Sequence, residues 1–80
     1  MHVAQLRSDL LAYIKKHNLG RKWDKAKHLF EENIRHPSLG VELLEPRWRG
    51  IYAFRLDKKY RALFFIRPSD GIAEVIAVTN

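Results

Sequence analysis

The sequence predicts an α+β domain in which an N-terminal helical hairpin packs on a three- to four-stranded antiparallel sheet. Two observations predict this fold class: apolar residues recur at helical spacing in the first half of the chain, and they alternate or run together in the second half. The length is consistent with this fold class, because 80 residues suffice for one domain whose helices and sheet share a single core.

The helical half contains two apolar stripes. The first covers residues 3 to 18 and consists of Val3, Leu6, Leu10, Tyr13 and Ile14. The second consists of Trp23, Ala26, Leu29, Phe30 and Ile34. The second helix should end before Pro37, because a residue that precedes proline is displaced from the α region. Asn18-Leu19-Gly20 is typical of a helix stop in which Gly20 adopts a positive φ. So short a connection predicts an antiparallel hairpin of helices.

The second half has the shorter period of strands. Candidate strands cover residues 41–45, 51–56, 60–66 and 72–79, and the last is rich in β-branched side chains. Pro68-Ser69-Asp70-Gly71 is a strong turn signal between the last two. Short turns between consecutive strands predict an antiparallel meander with the helices on one face.

The composition narrows the possible partners and the compartment. Fifteen Lys and Arg against nine Asp and Glu give a net charge of +6, which attracts polyanions or an acidic protein. The absence of cysteine favours a reducing cytoplasm, and no apolar run is long enough to span a membrane. The histidines lack metal-site spacing, so we expect no metal and no cofactor, and all four are interpreted as surface or boundary residues: His2, His17, His28 and His36.

The candidate site is a pair of arginines, Arg55 and Arg61, on neighbouring strands. A two-residue loop at Lys58-Lys59 would place Arg61 among the apolar side chains of the preceding strand, where an unpaired charge is costly. A three-residue loop over residues 57–59 instead pairs Leu56 with Tyr60 and brings Arg55 opposite Arg61. We predict the three-residue loop, because only it segregates the charges from the apolar side chains.

Two guanidinium groups directly across a strand pair repel each other, so an anion or a carboxylate is expected beside them. A four-residue loop at 68–71 would pair Glu74 with Phe65 on the arginine face, which makes Glu74 a candidate carboxylate. The same register turns Tyr60 toward the core. The alternative interpretation is that Arg55 and Arg61 are exposed strand residues that keep a sheet edge soluble.

Nearly the whole chain resembles the RelE/ParE superfamily of toxins. The resemblance is carried by the helical hairpin, by the links His36-Pro37-Ser38-Leu39 and Glu42-Leu43-Leu44, and by the motif Tyr52-x-Phe54-Arg55-x-Asp57-x-x-Tyr60-Arg61-x-x-Phe64. The closing strand, residues 72–79, also fits. The resemblance implies a RelE-like fold and a toxin of a type II toxin–antitoxin system, with a cognate antitoxin as its partner.

For members similar to RelE, the resemblance also implies cleavage of mRNA in the ribosomal A site, so that the ribosome and mRNA are further partners. Arg61 matches the arginine of the family's Tyr-Arg step, and Arg55 matches the basic residue that ends the preceding strand. Both would act as electrostatic catalytic groups, because arginine does not titrate usefully. This sequence departs from the family pattern at two places. Relatives carry an acid or base just past the last strand, where this sequence reaches Asn80. Relatives also carry a short strand before the first helix, for which Met1 to Gln5 leaves little room.

Further residues are candidates for contacts. Nucleic acid could be bound by Arg47, Arg49, Lys58 and Lys59. Trp48 is either part of that surface or a lid over the core. The lysines and arginine on the helices' polar faces, Lys22 and Lys25 among them, are interpreted mainly as solvated surface. An amphipathic segment of the antitoxin could cover apolar residues of the arginine face, namely Leu63, Phe65, Ile76 and Val78.

Three functions therefore remain open. The first is a ribosome-dependent mRNA endonuclease that inhibits translation. The second is a ParE-like or catalytically degenerate toxin that acts by binding a protein target. The third is a plain RNA-binding module, against which stands the assignment of most aromatic residues to the core face rather than to an exposed stacking surface.

Overall fold

The computed structural model describes residues 1–80. Two helices precede a four-stranded sheet, and the α+β class is confirmed. The helices are α1 (Ser8–Lys16) and α2 (Gly20–Glu32). The strands are β1 (Glu42–Leu43), β2 (Tyr52–Arg55), β3 (Arg61–Ile66) and β4 (Ala73–Thr79). The strand order is β1-β2-β3-β4 with every pair antiparallel, so the sheet is a meander. Neither helix is long and apolar enough to cross a bilayer.

The first helix begins later than the apolar spacing predicts. Val3 forms a parallel bridge with Ala73 at the start of β4. The backbone N–H of Ala73 donates to the His2 carbonyl at 2.9 Å, and the N–H of Ala4 donates to the Ala73 carbonyl at 2.8 Å. The prediction of helix from residue 3 is therefore wrong, because the edge of β4 satisfies backbone groups that a helix N-terminus would leave unpaired. Val3 and Leu6 are nevertheless buried.

Asn18, rather than Gly20, takes the left-handed conformation after α1, with φ of 55°. The N–H of Leu19 donates to Ile14 at 2.8 Å and the N–H of Asn18 donates to Lys15 at 3.2 Å, which is the pair of bonds of a Schellman motif. Leu19 is 1% exposed and supplies the apolar contact that accompanies this motif. Gly20 is thereby free to be the first residue of α2.

The second helix ends at Glu32, before Pro37 as predicted. Asn33 is already extended, with φ of −156° and ψ of 96°. Its side-chain oxygen accepts a hydrogen bond from the N–H of Arg35 at 3.1 Å, a local turn that competes with further helix. Ile34 still packs against the core from this turn.

The core lies between the helices and one face of the sheet. Its centre is three phenylalanines, with ring centroids 5.1 Å apart for Phe30 and Phe54 and 5.1 Å apart for Phe30 and Phe64. Leu39, from the link between α2 and β1, is equally buried. No charged or polar residue is buried, so all the cations lie at the surface.

A β-bulge in β4 changes which side chains face the core. Phe64 pairs with Val75 and Leu63 with Ala77, so Ile76 is the extra residue between them. Beyond the bulge the alternation is inverted, and Val78 is 7% exposed within the core cluster. The prediction that Val78 lies on the arginine face is therefore wrong, because an uninterrupted ladder would have been needed to place it there.

Candidate functional site

Arg55 and Arg61 lie directly opposite each other at the ends of β2 and β3, and the prediction of the three-residue loop is confirmed. The N–H of Leu56 donates to the Tyr60 carbonyl at 2.9 Å. Asp57 holds the loop closed, because its Oδ1 accepts hydrogen bonds from the N–H groups of Lys59 at 2.8 Å and Tyr60 at 2.6 Å. Both arginine side chains are exposed.

The carboxylate beside the pair is Glu42, not Glu74. Arg61 Nη1 lies 3.3 Å from Glu42 Oε1, since β1 places Glu42 opposite Ala53 on the arginine face. Glu74 does pair with Phe65 as predicted, but it accepts a hydrogen bond from Arg67 Nε at 2.9 Å. Arg67 directly follows β3 at the other end of the sheet, so it reaches Glu74 where Arg55 and Arg61 do not.

Arg55 has no carboxylate partner. It takes part in none of the salt bridges of the molecule. Its guanidinium lies across the backbone of Gly40, where an added Cβ would come within 3.1 Å of Arg55 Cζ. Gly40 has φ of +53°, a conformation that glycine adopts without strain. Gly40 therefore leaves room for a cation whose charge is unneutralised by the protein.

The two arginines open onto a cleft of about 700 Å³ between α2 and the β2–β3 hairpin. Its apolar floor is made by Ala26, Leu29, Leu39 and Leu56. Its rim carries five cationic side chains, namely Lys22, Lys25, Arg55, Lys58 and Arg61. The remaining polar lining residues are Ser38 and Asp57. Such a rim attracts phosphate groups, and charge-assisted hydrogen bonds from arginine hold them.

Asp57 is the single carboxylate of the cleft, and it is fixed in the ionised state. Lys22 Nζ lies 2.6 Å from Asp57 Oδ2. This ammonium group, with the N–H groups of Tyr60 and Lys59, lowers the pKa of Asp57 to about 2. So weak a base takes up no proton near neutral pH. The cleft can therefore clamp an anion, but neither Asp57 nor the two arginines can serve as its general base or acid near neutral pH.

Sequence reasoning missed Lys22 and Lys25 as members of this site. Their spacing, three residues apart on α2 and in phase with Ala26 and Leu29, places all four on one side of the helix. Nothing in that pattern distinguishes a cleft wall from a solvated face. The distinction depends on where the β2–β3 hairpin ends, which is a tertiary property.

The predicted nucleic-acid contacts do not form one surface. Lys58 joins the arginines in the cleft, whereas Lys59 Nζ lies 5.5 Å from the centre of the Tyr60 ring. Arg47 and Arg49 lie on a 3₁₀ turn between β1 and β2, beyond the end of β2 that is opposite to Arg55. Trp48, between them, is 84% exposed, so its interpretation as a lid over the core is wrong.

The predicted partner surface is partly present. Leu63 and Phe65 alternate with the buried Ala62 and Phe64 and are half-buried on the outer face of β3. Ile76 is half-buried at the bulge, and Ala77 takes the position opposite Leu63. With Val78 in the core, the outer apolar surface is smaller than the sequence suggests.

Histidine lies near the hairpin but outside the cleft. His17 Nδ1 is 3.3 Å from the Tyr60 hydroxyl, and both rings cluster with Tyr13. Tyr60 packs against the core as predicted. His36 Nδ1 accepts a hydrogen bond from the N–H of Ser38 at 3.1 Å. No group of His, Cys, Asp or Glu is arranged to hold a metal ion.

Comparison with known proteins finds no family model that matches the chain and no matching curated protein. The α+β fold and the arginine cleft are therefore the features from which a function can be inferred.

Proposed function

We propose that the chain is the toxin of a toxin–antitoxin system and acts in the cytoplasm as a RelE-like, ribosome-dependent mRNA endonuclease. One observation carries the proposal. Arg55 and Arg61 face each other across a strand pair at the mouth of a lysine-rimmed cleft, and only Arg61 has a carboxylate partner. This arrangement is destabilising without an anion, and a phosphate of mRNA is the anion that the family resemblance implies.

The arginines would act on the phosphate rather than on protons. In cleavage through the ribose, the 2′-oxygen loses its proton to a base and bonds to phosphorus, and the bond to the 5′-oxygen breaks as that oxygen takes up a proton. The products are a 2′,3′-cyclic phosphate and a 5′-hydroxyl. Two guanidinium groups stabilise the extra negative charge on the phosphorane oxygens. Glu42 would leave Arg61 as the phosphate enters.

The alternative is a ParE-like or degenerate toxin that binds a protein target without cleaving RNA. The lining of the cleft favours it in one respect. Its only carboxylate, Asp57, has a pKa of about 2, and neither histidine nor tyrosine is among its lining residues. In the endonuclease, the base and the acid must therefore be groups other than Asp57, Arg55 and Arg61, whereas a protein-binding toxin requires neither.

The antitoxin would bind the outer face of the sheet. Leu63, Phe65 and Ile76 remain half-buried there, and the helices cover only the opposite face. An amphipathic segment laid over these residues would bury them and reach Arg61 on the same face of β3. An acidic side chain of that segment would neutralise the arginine pair. Phe65→Lys should therefore keep toxicity and weaken protection by the antitoxin.

The deciding experiment is inducible expression of the chain and of Arg61→Ala, with growth and mRNA cleavage on translating ribosomes followed together. The matched control is Arg21→Ala, which removes an exposed arginine of α2 that does not line the cleft. We expect growth arrest with cleavage in the native chain and in Arg21→Ala, and neither in Arg61→Ala.

Growth arrest without cleavage would refute the endonuclease and support the protein-target alternative. An absence of growth arrest in the native chain would refute the toxin assignment. Equal cleavage by the native chain and Arg61→Ala would show that the arginine pair is not the catalytic clamp.

A further inference from the structure

Trp48 is the most exposed large apolar side chain of the molecule. It is 84% exposed, whereas the other tryptophan, Trp23, is 7% exposed. The other exposed apolar residues, Met1 and Leu11, are 44% and 48% exposed and lie in the N-terminal segment and α1. Exposed apolar residues are ordinary one at a time, but an indole ring with almost no protein contact offers an unusually large free aromatic face.

The loop that carries Trp48 is held by its own hydrogen bonds. The N–H of Arg49 donates to the Pro46 carbonyl at 3.1 Å, and the N–H of Gly50 donates to the Arg47 carbonyl at 3.1 Å. Gly50 closes the turn with φ of +66°. The Arg49 guanidinium also donates to the Glu45 carbonyl at 3.2 Å. The turn is therefore already formed before a ligand binds at Trp48. Little binding free energy is lost in ordering it.

The surroundings of Trp48 favour a nucleic acid over a protein. Residues 45 to 49 are all exposed, and the ring is flanked in the chain by Arg47 and Arg49. Protein hot spots lie within a rim of neighbours that exclude water, and this loop provides none. Proteins that bind single-stranded nucleic acids instead combine an aromatic stacking face with cations for the phosphates.

We propose that residues 45–50 form a second, separate contact for single-stranded RNA. One unpaired base stacks on the Trp48 indole, and the neighbouring phosphates meet Arg49 and Arg47. Arg47 Nε lies 3.4 Å from Glu45 Oε1, and this exposed ion pair opens as the phosphate binds. The cleft and this loop lie at opposite ends of β2, so they bind different parts of a strand. The inference shares with the proposed function only its ligand, RNA, and requires neither toxicity nor cleavage.

Intrinsic tryptophan fluorescence tests the proposal, because Trp48 is exposed and Trp23 is buried. A short oligoadenylate should quench the solvent-exposed emission of the native protein saturably. Trp48→Ala also removes the fluorophore, so its affinity is measured by the fluorescence anisotropy of a labelled oligoadenylate. Binding should weaken by roughly 5- to 150-fold, the equivalent of one lost base stack. Trp48→Phe should recover most of the affinity, because phenylalanine keeps a stacking face. Neither change removes a core contact.

Three comparisons make the result specific. Leu11→Ala, an exposed apolar change on α1, should bind the oligoadenylate like the native protein. An abasic strand with the same number of phosphates should not quench Trp48. Arg61→Ala should keep the Trp48-dependent quench, even where it abolishes growth arrest and cleavage.

Unchanged oligoadenylate binding by Trp48→Ala would overturn the proposal, and is the result expected if Trp48 instead anchors a protein partner. The abasic strand could bind as tightly as the oligoadenylate and with the same dependence on Trp48. This result would overturn the assignment of Trp48 as a base-stacking residue. Loss of the quench in Arg61→Ala would overturn the independence of the two contacts.

Discussion

Asp57 shows how one side chain can shape both a turn and a site. Its two oxygens receive the N–H groups of Lys59 and Tyr60 and the ammonium group of Lys22. The first two bonds fix the three-residue loop that sets Arg55 opposite Arg61. The third attaches α2 to the hairpin and so forms the end wall of the cleft. The geometry of the arginine pair therefore depends on a residue outside the pair itself.

This role gives Asp57 a pH signature. Its pKa in the folded protein is about 2, against 3.8 ordinarily, so the stabilisation is present above pH 4 and is lost as the pH falls toward 2. We expect Asp57→Asn to be less stable than the native protein at neutral pH, with a difference that shrinks between pH 4 and pH 2. Urea unfolding followed by circular dichroism at several pH values measures this.

Asp24→Asn is the matched control, because Asp24 is an exposed carboxylate of α2 that forms no salt bridge. Its stability should follow that of the native protein across the same pH range. A stability difference for Asp57→Asn that stayed constant down to pH 2 would contradict the assigned role of the carboxylate charge.

Glu42 competes with RNA for Arg61 in the proposed mechanism. Both side chains of this ion pair are more than half exposed, at 57% for Glu42 and 54% for Arg61, so the pair contributes little to stability. Glu42→Gln should therefore leave the unfolding midpoint nearly unchanged and bind a short single-stranded RNA more tightly, by about two- to fivefold. Fluorescence anisotropy of labelled RNA measures the affinity.

Glu32→Gln makes the same change in net charge on α2, where Glu32 pairs with His28 and lies outside the cleft. It should raise the affinity less than Glu42→Gln does. Equal gains for the two variants would mean that total charge, and not the release of Arg61, controls binding.

At the scale of elements, the end of α1 depends on the conformation of Asn18. Asparagine tolerates the left-handed region, whereas a β-branched residue there is strained by about 1–2 kcal/mol. Asn18→Val should therefore destabilise the protein by about that amount, and Asn18→Gly should change its stability by no more than about 0.5 kcal/mol. Chemical denaturation compares the three proteins. Equal stability of Asn18→Val and the native protein would contradict the Schellman motif.

The bulge in β4 makes a second prediction at this scale. Val78 is 7% exposed in the core cluster, whereas Ile76 is half-buried at the bulge. Val78→Ala should therefore cost about 1–3 kcal/mol, and Ile76→Ala about half of that or less, although isoleucine is the larger side chain. Urea denaturation ranks the two variants. The opposite order would indicate a ladder without the bulge.

These elements also show where sequence reasoning succeeds and where it stops. The hairpin register could be predicted because Arg55 lies on the opposite face of its strand from Tyr52 and Phe54. Only a three-residue loop keeps Arg61 off that aromatic face as well. The bulge in β4 could not be predicted, because residues 75 to 78 are all apolar. A strand with the bulge and a strand without it both bury apolar side chains. The N-terminal bridge was missed for a similar reason: Val3 and Leu6 fit a helical stripe as well as an extended segment.

At the scale of the whole molecule, the cationic side chains fall into separate groups. Three of the five cations on the cleft rim come from the hairpin and two from α2, so the rim exists only when the helices are packed on the sheet. Strand alternation and the length of the loop identified the arginine pair from the sequence. The lysines of α2 could not be assigned to the site, since the sequence does not encode the position of a helix across the sheet in any local pattern.

The salt dependence of the proposed RNA binding tests how many of these cations meet phosphates. Each phosphate contact with single-stranded nucleic acid contributes about 0.7 to the slope of log K against log salt. The double variant Arg55→Ala/Arg61→Ala should therefore lower the magnitude of the slope by about 1.4. The control Lys15→Ala/Lys16→Ala, with the same change in charge on exposed residues of α1, should lower it by less than about 0.7. Equal changes would argue against a defined phosphate site.

The bulge has one more consequence, for changes in chain length. Without Ile76, β4 would alternate regularly, and Ala73, Val75 and Val78 would still face the core. The strand therefore tolerates the loss of one residue without exchanging its two faces. β3 has no such extra residue. A deletion between Arg61 and Phe64 would turn Arg61 inward, so homologous proteins that keep the cleft should vary in length in β4 but not in β3.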